Sequence, residues 1–189
     1  MNPQPASEAT LPAAAAVGDA PRRATVLFMV AHPARWIALG FGSGLSPVAP
    51  GTVGTLWAWL SFVVLGRWLD DAGWAWLLGA GLLVGWWACT RTARDLRVAD
   101  PGAIVWDEVI AFWLVLWLVM PTGFWGQAAA FALFRLFDAA KWGPVKWADR
   151  AFKPRAGQLP GWAQGFGILL DDLVAALLTL LVIAAWRWI

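Results

Sequence analysis

The chain has 189 residues, with 14 Lys and Arg against 12 Asp and Glu, so its net charge is only +2. Apolar residues make up 60%, charged residues 14%, and there are 17 Trp, giving a mean hydropathy of +0.62. This is far from the roughly 25% charge of a soluble domain; the small net charge and the absence of any RNA- or DNA-binding motif argue against nucleic acid, and the single cysteine, Cys89, rules out an intramolecular disulfide.

The first 25 residues are rich in Ala and Pro, show no apolar period, and are expected to form a disordered tail. Pro21-Arg22-Arg23 and the apolar run behind it superficially resemble a secretory or twin-arginine signal. The run is broken by His32, Pro33 and Arg35 and lacks a convincing cleavage site, so no processing is expected. Residues 36–39 then lead into a Gly/Ser/Pro segment, 40–55, expected to pack at the interface or re-enter because such a sequence cannot face lipid as a helix. A bilayer span needs about 20 mostly apolar residues. Residues 52–68, 73–90, 103–120 and 167–186 meet this directly, and 124–140 meets it if Arg135 and Asp138 are tolerated near its end. Trp68, Trp74, Trp125, Trp186 and Trp188 at run edges fit an aromatic belt, whereas Trp113 and Trp117 lie too deep for one.

The expected fold is therefore all-α: a polytopic membrane helix bundle of about five spans, with a cytoplasmic Gly/Ser/Pro loop before the first. Residues 1–25 form the tail and 26–189 one membrane-embedded domain. Arg22, Arg23, Arg35, Arg91, Arg94, Arg97, Lys141, Lys146, Arg150, Lys153 and Arg155 fall on one side of this topology, and only Arg67 and Arg187 on the other. The excess of basic residues places that side, with the amino terminus, in the cytoplasm.

Five carboxylates, Asp107, Glu108, Asp138, Asp171 and Asp172, lie inside these apolar runs. Each ionised group costs about 2.5–3.5 kcal/mol at a helix centre, so five together need a counter-charge or a function. Arg135 is the only basic residue at comparable depth, which makes a bound divalent cation the economical completion. Asp107-Glu108 and Asp171-Asp172 are both expected as the fifth and sixth residues of their spans, roughly 6–8 Å below the cytoplasmic helix starts. Neighbouring helix residues point about 100° apart, so at most one of each pair faces straight into a shared centre.

Other residues carry two readings each. In 40–55, Gly42 and Gly44 let backbone N–H groups turn toward an anion, Ser43 and Ser46 add hydroxyls, and Thr52 stands near a helix N-terminus; the same composition also suits a plain helix-breaking loop. Arg135 and Asp138, at i and i+3, share a face and can pair locally. Lys141 is either a cationic companion for phosphate or a snorkelling lysine.

Gly40 to Thr55, Ile104-Val105-Trp106-Asp107-Glu108, Phe134-Arg135-Leu136-Phe137-Asp138 with Lys141, and Gly165-Phe166-Gly167-Ile168 leading to Asp171-Asp172 together resemble the bacterial phosphatidylglycerophosphatase A family, in order and from about Trp36 onward. The resemblance implies a Mg²⁺-dependent, multi-pass inner-membrane lipid phosphatase. Its substrate would be phosphatidylglycerophosphate, its product phosphatidylglycerol, and its active site would face the cytoplasm. Asp107, Asp171 and Asp172 become the leading metal ligands and Glu108 a ligand or the base. Arg135 and Lys141 contact phosphate, Gly42, Ser43, Gly44, Ser46 and Thr52 position it, and Asp138 ligates metal or holds Arg135. The chain departs from the family at Lys141-Trp142-Gly143-Pro144, where a Lys-Pro-Trp-Pro-like turn is expected, and at Ala111 and Ala176, where glycine is expected.

Metal-assisted attack by water also fits what the chain lacks. Cys89 has no phosphate-cradling context, His32 is the only histidine, and no Asp-x-Asp motif is present. A CDP-alcohol phosphotransferase would cluster aspartates similarly but needs Gly and Arg at offsets not found here. A cation transporter would hold its carboxylates near the midplane, and a non-enzymatic membrane assembly factor is the remaining class. The sequence leaves the oligomeric state open, a homo-oligomer included.

Overall fold

The computed structural model describes residues 21–141, 143–152 and 158–188. Most of the expected tail, Trp142, Lys153 and Arg155 lie outside the described residues. Within them the protein is all-α: α1 (Val26–Val30), α2 (Pro33–Ala38), a 3₁₀ stretch (Gly40–Leu45), α3 (Pro50–Leu65), α4 (Asp71–Leu96), α5 (Trp106–Val119), α6 (Phe124–Ala140), α7 (Pro144–Ala151) and α8 (Trp162–Trp188).

All five apolar runs are helical, but their lengths differ. α4 and α8, of 26 and 27 residues, are long and apolar enough to cross a membrane. α3 is a shorter apolar helix. α5 has 14 residues, about 21 Å against a hydrocarbon core of about 30 Å. It starts three residues later than expected because the segment before it is used otherwise: the Val105 N–H donates to the Ala38 carbonyl at 2.9 Å, tying α2 to the start of α5. α8 starts five residues earlier than expected, at Trp162. The two acidic pairs are therefore not equivalent. Asp107 and Glu108 occupy the first turn of α5, whereas Asp171 and Asp172 lie well inside α8.

α5 is the core. Its sequence is apolar all round, which dictates burial on every side, and Val109, Ile110, Ala111, Phe112, Val115 and Leu116 are all fully enclosed. α3, α4, α6 and α8 pack around it. Of the two deep tryptophans, Trp113 belongs to this packing and donates to the Ala58 carbonyl at 2.9 Å, as Trp106 does to the Gly81 carbonyl at 3.0 Å, whereas Trp117 is half-buried and donates to Asp71 at the start of α4. Ala111 and Ala176, where glycine was expected, are both fully buried, and α5 still packs closely along α8. The outer faces of the ring are apolar as well, with Leu60, Leu83, Leu177 and Leu181 exposed.

Candidate active site

Asp107 and Glu108 on α5 and Asp172 on α8 converge, each offering a carboxylate oxygen within 4.8 Å of the others. Glu108 and Asp172 are buried, and one oxygen of each, Oε2 and Oδ2, has no hydrogen-bond partner among the described residues. Burying an ionised oxygen without a partner is costly. Three carboxylates meeting with free lone pairs are the donor set a hard divalent cation takes. The residues present therefore fit a metal ion.

α6 supplies the positive charge. The Arg135 guanidinium donates to Asp138, one turn along the same helix, and lies 3.8 Å from Glu108 Oε1. The local ion pair expected from the i, i+3 spacing is present, and it also faces the carboxylate cluster. Asp138 is itself buried beside the cluster, close enough to Asp172 for their charges to interact. α3 closes the arrangement from the opposite side. Its second residue, Gly51, lies so close to Glu108 and Arg135 that a Cβ there would meet the Glu108 carboxylate and approach both guanidinium nitrogens to 3.3 Å. α3 starts at Pro50 after Ala49 in a left-handed conformation, and no side chain caps it. The N–H groups of its first turn, where Thr52 stands, are left to other partners, an arrangement that favours anions.

The glycine loop is built mainly by packing. Gly44 sits against the Ala103 carbonyl and Gly54 against the Val105 side chain, where added methyls would collide with the turn that leads into α5. Gly42 takes a left-handed φ of 105°. The Ser43 hydroxyl donates to the Gly40 carbonyl and the Ser46 hydroxyl to the Val48 carbonyl, each at 2.8 Å, so both protons are used inside the loop.

The family model for Phosphatidylglycerophosphatase A matches residues 36–187. The chain belongs to the phosphatidylglycerophosphatase A family. It is 38% identical over 151 residues to phosphatidylglycerophosphatase A of Escherichia coli K12, covering 79% of this chain and 81% of that protein. It is 35% identical over 157 residues to the Haemophilus influenzae protein of the same name, covering 83% and 90%. A Bacteroides thetaiotaomicron protein, provisionally named a phosphatidylinositol-3-phosphatase, is 33% identical over 159 residues, covering 81% and 92%. No solved structure matches.

Two family-motif residues stand apart from the converging carboxylates. Asp171, one residue before Asp172, turns away and accepts from Lys141 Nζ at 2.8 Å; the same ammonium donates to Asp149 on α7 at 2.5 Å. Burial works to lower the Lys141 pKa, but the bonds to Asp149 and Asp171 outweigh it and hold the pKa above the ordinary lysine value. Lys141 is thus a charged pin between α6, α7 and α8, standing at the α6 C-cap with a left-handed φ of 45°. Beside it a cavity of about 20 Å³, room for one water, is lined by Asp100, Asp149, Gln164 and Asp171, among others.

Sequence reasoning missed Asp149 and took Gly51 only as one of the loop glycines of 40–55. Nothing in the sequence singles Gly51 out among them. Asp149 carried a signal: it is the one acidic residue in an eight-residue helix containing Lys146 and Arg150, on the side where the basic residues gather.

Proposed function

We propose that this chain removes the terminal phosphate of phosphatidylglycerophosphate, giving phosphatidylglycerol and inorganic phosphate, with Mg²⁺ held by Asp107, Glu108 and Asp172. The observation that carries the reading is the pair of partnerless buried oxygens on Glu108 and Asp172, facing a third carboxylate and backed by Arg135. Family membership supplies the substrate.

When bound, Mg²⁺ would polarise the phosphoryl oxygens and favour attack by water at phosphorus. The Arg135 guanidinium, 3.8 Å from Glu108, is placed to take a phosphoryl oxygen while Asp138 fixes its plane. The α3 N-terminus adds backbone donors through the close approach at Gly51. In the reaction a water oxygen bonds to phosphorus as the P–O bond to the headgroup glycerol breaks. The water proton passes to a carboxylate of the cluster, and the glycerol oxygen takes up a proton. Asp171 orients Lys141 at the rim, within one residue of the metal ligands.

We read α3, α4, α5, α6 and α8 as five crossings of the bacterial inner membrane. The basic loops and the carboxylate cluster lie toward the cytoplasm, and the carboxyl terminus lies in the periplasm. α5 is shorter than the bilayer because it is enclosed by the other helices and meets little lipid. This topology leaves the lipid's acyl chains in the bilayer while its phosphate reaches the carboxylates.

The test is phosphate release by purified protein from phosphatidylglycerophosphate, phosphatidic acid, phosphatidylinositol 3-phosphate and soluble glycerol phosphate, with Mg²⁺ and with a chelator. Fast, chelator-sensitive release from phosphatidylglycerophosphate supports the reading. Equal rates on glycerol phosphate, or turnover of another lipid with none of this one, would reject it.

A further inference from the structure

We infer that the groove between α3 and α6 is the seat of one acyl chain of the substrate, an inference that rests on the lipid-phosphatase reading above. The groove holds about 470 Å³ and is lined by Leu56, Trp59, Leu60 and Val63 of α3 with Phe124 and Gln127 of α6. It contains no charged side chain, and Leu56, Leu60 and Val63 are 48%, 59% and 46% exposed. α3 and α6 do not pack closely along each other; Trp59 spans the gap, stacking on Phe124 at 5.6 Å and Phe131 at 5.7 Å and donating to Gln127 at 2.7 Å. Trp59 is therefore a fixed floor, with Phe112 of α5 edge-on to it at 6.4 Å.

The groove lies on the flank of α3 that Trp59 turns toward α6, below the head of the site. Gly51, at the top of α3, touches Glu108 and Arg135 from the core face of that helix, with Trp59 about 80° and Leu56, Val63 and Leu60 about 120–180° around from it. From Gly51 to Val63 the helix rises about 18 Å. That matches an acyl chain in one leaflet, half of a core of about 30 Å. Rotation around α6 agrees: Gln127 and Phe124 lie within about 80° and 20° of Arg135. A lipid with its phosphate on Arg135 therefore drops its chain along that face.

A larger groove of about 610 Å³ lies between α6 and α8 but fits less well. Its α6 residues Ala132, Ala129, Leu133 and Gly126 lie about 60°, 120°, 160° and 180° around from Arg135, on average farther than Phe124 and Gln127. Its far end also carries the charged Arg187, committed to the Val119 carbonyl at 2.5 Å.

The experiment uses phosphatidylglycerophosphate with a photoreactive diazirine near the end of one chain, reconstituted with the full-length protein in phosphatidylcholine. Labelling should concentrate in residues 56–63 and 124–127, about ten-fold above the outer face of α4 around Leu83, the equivalent of about 1.4 kcal/mol. Unlabelled phosphatidylglycerophosphate should compete and extra phosphatidylcholine should not. Val63→Trp, which fills the lower end, should cut this labelling about as much, and Leu83→Trp should leave it unchanged. Labelling spread evenly over the outward faces, or insensitive to the lipid phosphate, overturns the inference on the wild-type protein alone, whatever the variants do. Phosphate release from the same probe reports separately on the phosphatase reading. Site-directed labelling without release sinks that reading and keeps the groove; release with diffuse labelling does the reverse.

Discussion

Asp171 and Asp172 are adjacent on one helix and meet opposite fates. Asp172 turns toward Asp107, Glu108 and Asp138, three further carboxylates, and keeps a buried oxygen without a partner. Asp171, about 100° around the helix, meets Lys141, which Asp149 also holds. One region concentrates negative charge that the protein leaves unbalanced; the other is an ion-pair network nearly complete in itself. A buried group of carboxylates is costly unless something else supplies the balance, and under the proposed function that contrast would separate ligands from supports within a single motif.

The two regions should respond differently to neutral substitutions. Asp172→Asn and Asp107→Asn remove a ligand and should lower kcat by roughly 10³-fold, as loss of several kcal/mol of charge stabilisation requires. Steady-state kinetics at saturating Mg²⁺ would measure it, and near-normal turnover in both would dissolve the distinction. Arg135→Ala should cost about 10²-fold, the usual effect of losing one preorganised donor. Asp171→Asn and Asp149→Asn should cost only about 10-fold, because they loosen Lys141 without touching the metal.

Stability gives the same contrast with opposite signs. With a chelator present, Asp172→Asn relieves repulsion among buried carboxylates and should raise the thermal midpoint, whereas Asp171→Asn breaks a partly buried pair and should lower it. Thermal unfolding in detergent reads both, and shifts of the same sign would erase the difference between the regions. The smallest effects belong to Ser43→Ala, Ser46→Ala and Cys89→Ala. The two hydroxyls are committed to their own loop and Cys89 is a buried packing residue, so rates should stay within about three-fold.

Much of this was legible in the residues. The apolar runs are long, so helices were readable over all five, and carboxylates inside such runs drew attention to Asp107, Glu108, Asp138, Asp171 and Asp172. The family resemblance added Arg135 and Lys141. What local sequence does not carry is rotation and register across helices. The start of α5 is set by a backbone bond from Val105 to Ala38, far away in the chain, and the start of α8 by residues too mixed in character to read as span. Which of Asp171 and Asp172 points inward depends on how α8 packs on α5. The glycines of 40–55 announce a tight loop, but their packing against Ala103 and Val105 needs the fold to be seen.

The central claim is that the half-buried carboxylate of Asp107 and the buried ones of Glu108 and Asp172 hold a divalent cation. Mn²⁺ binding, followed by electron paramagnetic resonance on the purified protein without substrate, tests it most directly. The account predicts saturable binding that Mg²⁺ displaces, that is lost in Asp172→Asn and Asp107→Asn, and that is retained in Asp171→Asn. Retention of the bound-Mn²⁺ signal in Asp172→Asn, or its loss in Asp171→Asn alone, would contradict it.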